Sequence, residues 1–339
     1  MSAAATAAAT GVGSLPGTDV RQAAASVFGE LPWPHVPELP GRGPGSDLVG
    51  RTGALLVDLP LETSAGCWRM ASRPGRDLRR SAALLSEDLD AVEEAGQGFV
   101  GPLKLQVAGP WTLAAGVELR SGHRALVDEG ACRDLAHSLA EGVRRHLADV
   151  AARVPGAVVT VQLDEPSLPA VLGGTIPTAS GFGAVRAVDP ADVTRLLSPV
   201  VAAAQDLGAP VVVHCCAPAV PWGLLLGLPV SGAAVDLAQL AEGDDDRVAE
   251  WLDGGRVLLA GAVATGAPTE ASAREVAASV RALIRRTGFG VAEVLPRVVV
   301  TPACGLAGLS ASEARTVMAT TREAAEQLTA DPDGEEGHA

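Results

Sequence analysis

The chain of 339 residues contains no tyrosine, a single lysine (Lys104) and only 3% aromatic residues. Positive charge therefore rests almost wholly on arginine, and no basic stripe is interleaved with aromatic side chains in the way nucleic-acid surfaces require. The formal net charge of −14 points the same way, since a polyanion repels phosphate backbones. Long apolar runs are also missing, and no uninterrupted stretch reaches the length of a membrane span. The start, Met1 to Thr10, is small and apolar, but it lacks the basic residues and leucine-rich centre of a secretory signal. A cytoplasmic protein with no nucleic-acid and no membrane partner is expected. Five cysteines, odd in number and including the adjacent pair Cys215 and Cys216, make a poor disulfide framework. A reducing compartment leaves such thiols free for metal.

Hydrophobic residues make up 47% of the chain and charged residues 19%, enough apolar material for a substantial core. Short β-branched runs alternate with longer Ala/Leu/Arg/Glu-rich stretches, the pattern of repeated βα units around a parallel sheet. Eight strands are expected: 8–13, 54–59, 103–108, 158–164, 210–215, 232–236, 257–262 and 298–301. Helices are expected over 19–30, 86–94, 132–154, 190–207, 269–286 and 310–328. Eight such units imply an α/β fold, a (β/α)8 TIM barrel forming one domain over residues 1–329. The proline-rich segment Leu31 to Glu38 is the alternative second strand, in which case residues 54–59 are an insertion. The last ten residues, 330–339, are acidic with little to bury, so a disordered tail containing an inert His338 is expected.

In such a barrel the chemistry lies at the C-terminal strand ends, and the unusual residues fall there. Strand one ends in Gly11-Val-Gly-Ser-Leu-Pro16, strand three in Gly109-Pro-Trp111 and strand four in Gln162-Leu-Asp-Glu-Pro166. Strand five ends in His214-Cys-Cys216, strand six in Asp236 and strand eight in Pro302-Ala-Cys-Gly305. Side chains at i and i+2 share a strand face, so His214 and Cys216 point together while Cys215 points away. Cys304 adds a second sulfur and Asp236 an oxygen. Imidazole, thiolates and one carboxylate suit zinc, and a replaceable oxygen ligand suits a catalytic more than a structural site. Plainer roles exist for several of these residues. Asp236 could open the following helix, Asp164 could order the Pro166 turn, and Glu38 could be a solvated loop residue.

Taken together, Val12-Gly13-Ser14, Asp164-Glu165-Pro166, His214-x-Cys216 and Cys304-Gly305-Leu306 resemble the catalytic C-terminal half of cobalamin-independent methionine synthase. That family lies in the superfamily that includes uroporphyrinogen decarboxylase, and the resemblance covers nearly the whole chain. It implies zinc (Zn2+) held by His214, Cys216 and Cys304, with Asp236 where the family usually has glutamate. It also implies a homocysteine carboxylate at Val12, Gly13 and Ser14, and its amino group at the catalytic Asp164 and at Glu38. A free thiol is mostly protonated at neutral pH and a poor nucleophile, which metal coordination corrects.

Departures touch the methyl donor. The folate-dependent synthases carry an additional N-terminal half, an acidic residue where this chain has Ala170, and a histidine where it has Gly266. The expected activity is thus methyl transfer to homocysteine from methyltetrahydrofolate or a methyl-corrinoid protein. Three alternatives are alkyl transfer to another thiol such as coenzyme M, a uroporphyrinogen decarboxylase-like enzyme, and a non-enzymatic zinc-binding partner of a corrinoid carrier.

Overall fold

The computed structural model describes residues 8–266 and 271–334. Among the described residues ten strands are formed: β1 (Ala8–Ala9), β2 (Leu61–Ser64), β3 (Cys67–Met70), β4 (Gly101–Ala108), β5 (Val117–Glu118), β6 (Ala157–Asp164), β7 (Val211–Cys215), β8 (Gly232–Asp236), β9 (Val257–Val263) and β10 (Val298–Pro302). The α-helices are α1 (Val20–Glu30), α2 (Leu48–Gly53), α3 (Arg76–Ala95), α4 (Pro110–Gly116), α5 (Glu129–Arg153), α6 (Leu168–Gly173), α7 (Pro190–Gln205), α8 (Trp222–Gly227), α9 (Asp244–Asp253), α10 (Ala273–Arg286), α11 (Val291–Val294) and α12 (Ala311–Ala330). Seven strands make one curled parallel sheet in the order β1-β10-β9-β8-β7-β6-β4, and β2-β3-β5 form a small separate sheet. No helix among the described residues is long and apolar enough to cross a membrane.

The architecture is barrel-like, but among the described residues no regular eighth strand closes it. The expected strand at 54–59 is absent, and its first three amides are spent elsewhere. Asp47 caps α2 through Gly50 N–H, and the N–H groups of Ala54, Leu55 and Leu56 bond back to carbonyls of that helix. Between β1 and β4 runs the alternative, proline-rich segment. Trp33 N–H donates to the Ala9 carbonyl (3.1 Å), Val36 N–H to the Lys104 carbonyl (2.8 Å), and Lys104 N–H to the Pro34 carbonyl (2.9 Å). Pro32, Pro34 and Pro37 offer no N–H, so this segment makes isolated bridges instead of a ladder.

Strand parity layers the interior. Val211 and Val213 belong to the large cluster under the helices, whereas Val212 joins Ala234, Leu259 and Val299 in a separate apolar cluster. Residues of Val212 parity therefore face inward, which aims His214 and Cys216 into the barrel and leaves Cys215 buried on the other face. The buried inward-facing side chains of β4 and β6 are largely polar, among them Lys104, Gln106, Gln162 and Asp164. Of the acidic tail, residues 331–334 are placed: Arg281 donates to the Asp331 carbonyl and Arg285 to that of Asp333. Residues 335–339, with His338, lie outside the described residues, as do 267–270 at the start of the expected 269–286 helix; α10 begins at Ala273.

Candidate active site at the barrel mouth

Register builds the first pair. Asp164 is the Cα partner of His214 across β6 and β7, and paired residues on parallel strands share a face. The Asp164 carboxylate Oδ1 lies 2.8 Å from His214 Nδ1. A carboxylate only accepts, so the ring donates from Nδ1, which in a neutral imidazole leaves the lone pair on Nε2. That Nε2 is buried and has no hydrogen-bond partner. An orphaned imidazole nitrogen inside a protein is costly unless something completes it.

The second pair joins two strand ends 88 residues apart. Cys216, just past β7, and Cys304, just past β10, place their Sγ atoms 3.3 Å apart. The hydrogen bond from Cys216 lowers the Cys304 thiol below its ordinary value. The same bond, with burial behind it, raises Cys216. Two sulfurs on one tetrahedral zinc, each at ~2.3 Å, lie roughly 3.8 Å apart, so this pair needs to open only slightly to share a cation. Donor chemistry and the bare His214 Nε2 together fit zinc.

Asp236, the fourth expected ligand, is engaged elsewhere. Its Oδ1 accepts from Ala238 N–H at 2.9 Å and caps the short 3-10 turn Leu237–Gln239. It also lines a cavity of about 520 Å³ with Gly261 and Ala303, the neighbour of Cys304. Among the described residues no three His, Cys, Asp or Glu side chains form a ready-made metal shell. The expected ligands instead form one thiol pair, one oriented imidazole and one capping carboxylate.

The turn after β1 borders the same interior. Glu38 N–H donates to the Gly13 carbonyl, Leu15 N–H to the Glu38 carbonyl, and Leu306 N–H to the Ser14 carbonyl. These bonds lace Val12, Gly13 and Ser14 to the Glu38 segment and to the loop carrying Cys304. Gly305 lies so close that a Cβ there would sit 2.0 Å from Ser14 Oγ. Glu38 is buried, its Oε1 has no hydrogen-bond partner, and burial, against the pull of Arg51 and with Asp164 nearby, raises it to about 7. Two neighbouring carboxylates, one with an unpartnered oxygen, suit a cationic amino group.

Glu165 does something different. It accepts from Trp111 N–H, Thr112 N–H and Thr112 Oγ1 at 2.8 to 2.9 Å, so it serves the start of α4. Ala170 lies on α6 and Gly266 follows β9. Lys104 and Gln162 were not legible as site residues. Lys104 Nζ donates to the Val12 carbonyl (2.8 Å) and Gln162 Oε1 (2.6 Å), and Gln162 Nε2 donates to Asp164 Oδ1 (2.7 Å). The available signal was Lys104-x-Gln106 and Gln162-x-Asp164 inside otherwise apolar strands, since polar residues two apart share a strand face.

The B12-independent methionine synthase from Shewanella sp. W3-18-1, solved in complex with selenomethionine, superposes with a TM-score of 0.66 at 12% identity, over 97% of this chain and 99% of that chain. The pneumococcal virulence factor StrH gives 0.50 at 10% identity, over 99% and 89%. Streptomyces cattleya GH5_18 in complex with GlcNAc gives 0.50 at 17%, over 98% and 82%. At such identities the likeness is one of fold. No curated protein matches the chain. The family described as "Cobalamin-independent synthase, Catalytic domain" matches residues 6–327, nearly the whole chain, and it is to this family that the chain belongs.

Proposed function

We propose that the protein is a zinc-dependent methyltransferase that moves a methyl group to the thiol of homocysteine, giving methionine. The observation that carries this reading is the half-buried Cys216 and Cys304 thiol pair in the same barrel mouth as His214, whose bare Nε2 is held in place by Asp164. His214, Cys216 and Cys304 are the residues that would hold the metal. Asp236, with one oxygen committed to its turn, is the weakest member of the set and the one an incoming thiol would displace. Bound zinc supplies Lewis acidity, which lets a thiol lose its proton at neutral pH.

The chain's own residues bind and orient the amino acid. Glu38 and Asp164 receive the ammonium group, the first through its unpartnered Oε1. The turn Val12–Ser14 meets the carboxylate. Burial of these carboxylates strengthens each charge-assisted hydrogen bond relative to water. The methyl donor is methyltetrahydrofolate or a methylated corrinoid protein, and a cytoplasmic location goes with this chemistry. One domain over residues 1–329 carries the whole reaction.

The test is metal content by elemental mass spectrometry, followed by methylation of homocysteine with each donor. Wild type should hold about one zinc per chain, and Cys304→Ser should lose most of it. Asp236→Asn should keep the cap, since Asn caps as well as Asp, and weaken zinc binding about tenfold, far less than Cys304→Ser. Wild-type protein that takes up no zinc on reconstitution would overturn the proposal, and unchanged affinity in Asp236→Asn would remove that residue from the shell.

A further inference from the structure

We infer that Lys104 is a positioning residue of this site, which sets the ring of His214 through Gln162 and Asp164 and sets the turn Val12–Ser14 through the Val12 carbonyl. Lys104 is the chain's one lysine and is fully buried. A buried ammonium is expensive and persists only where it is bonded and charge-balanced. Here two of its protons go to the Val12 carbonyl and Gln162 Oε1; burial draws the amine down to about 7, and Asp164 and Glu38 pull the other way. Packing alone does not call for a cation in this place, because the neighbouring inward cluster of Val212, Ala234, Leu259 and Val299 is wholly apolar.

Directionality makes the chain of bonds informative. Lys104 Nζ donates to Gln162 Oε1, so Gln162 presents its oxygen to Lys104 and its NH2 to the other side. That NH2 donates to the Val12 carbonyl (3.0 Å) and to Asp164 Oδ1 (2.7 Å). Asp164 Oδ1 is thereby fixed where it also receives His214 Nδ1. Without the ammonium, Gln162 Oε1 is left a buried acceptor with no donor, and the amide shifts in search of one, drawing its NH2 away from Asp164 Oδ1. Asp164 then moves, and the imidazole loses the bond that fixes its tautomer. The Val12 carbonyl loses one of its two side-chain donors in the same event.

The first arm of the test needs no metal and no substrate. Zinc-free protein is labelled with 15N in its histidine rings and lysine side chain, and the His214 signals are assigned by their loss in His214→Gln. Wild type should show a single neutral tautomer with the proton on Nδ1. Lys104→Met should shift that pattern toward a mixture of tautomers, and so should Gln162→Leu, which keeps the ammonium but cuts the path. With one lysine, the Nζ signal is unique and should move in Asp164→Asn. If Lys104→Met does not fold, Gln162→Leu and the Nζ signal decide the matter alone. Unchanged His214 signals in folded Lys104→Met or in Gln162→Leu, or an Nζ signal indifferent to Asp164→Asn, would overturn the inference.

A second arm rests on the proposed metal reading and uses cobalt(II) as its probe. The dissociation constant should rise tenfold or more in both variants, as when outer partners of ligating histidines are lost. Equal cobalt affinity in wild type and variants would overturn the inference for the metal-loaded site. A wild type that binds no cobalt sinks the metal reading instead, and the nitrogen signals then decide the role of Lys104.

Discussion

His146, on α5 and far from the strand ends in sequence, is buried deeply enough that desolvation, with Arg51 adding to it, lowers it from 6.5 to about 3. The sign follows directly. Between those values the unfolded chain binds a proton that the native chain refuses, so stability is complete above pH 6.5 and is lost as pH falls toward 3. At about 1.4 kcal/mol per pH unit, two units of acidification below 6.5 remove roughly 2 to 3 kcal/mol. His146→Leu should therefore lose that much less than wild type between pH 7 and 4.5 in urea unfolding. Parallel pH curves for the two proteins would show that His146 contributes no acid sensitivity. The same residue scale limited what the sequence revealed. His214, Cys216 and Cys304 stood out because their chemistry is rare and their strand-end placement is regular. Lys104 and Gln162 act through hydrogen bonds to side chains 58 and 2 residues away, and composition marks such a lysine only as solitary.

At the scale of elements, α4 shows why one acidic residue of the Asp164-Glu165 pair has a structural task. The helix spans only Pro110–Gly116, too short to be stable by itself, and its first N–H groups point at a buried carboxylate. Glu165 takes three donors there, and it reaches its place because residue 109 is glycine, where a Cβ would sit 2.2 Å from Glu165 Oε1. Burial raises Glu165 to about 7. Glu165→Ala strands those donors away from water, each at a cost of about 1 to 3 kcal/mol, so chemical denaturation should show a loss of at least ~3 kcal/mol. Glu165→Gln retains one acceptor oxygen and should lose less. Equal losses in the two variants would show that the cap is not what matters. Elements were also where periodicity misled. Residues 54–59 carry the apolar run of a strand, yet a capped helix ends immediately before them, and a β-ladder cannot form from amides already bonded to helical carbonyls.

For the whole molecule, the place where the barrel is weakest is also where its proposed substrate contacts begin. Seven strands pair by regular ladders, and single bridges through residues 33–36 span the remaining gap between β1 and β4. Prolines explain both the gap and the difficulty of reading it, because a run that lacks N–H donors at positions 32, 34 and 37 does not announce itself as a strand. Local opening needs least free energy where few hydrogen bonds must break together. The Trp33 and Val36 amides should thus exchange with solvent at least tenfold faster than that of Val161, which lies within β6 and bonds the Pro210 carbonyl. Glu38 follows this segment directly and donates its own N–H to the Gly13 carbonyl at 3.2 Å, so opening the seam separates Glu38 from the turn Val12–Ser14. An amino acid bridging Glu38, Asp164 and that turn binds only the closed arrangement, and saturating methionine should slow exchange at Val36 and Glu38 severalfold while leaving Val161 unchanged. Uniform slowing across the sheet would mean that the ligand stabilises the fold globally, and no slowing at Glu38 would remove the seam from substrate binding.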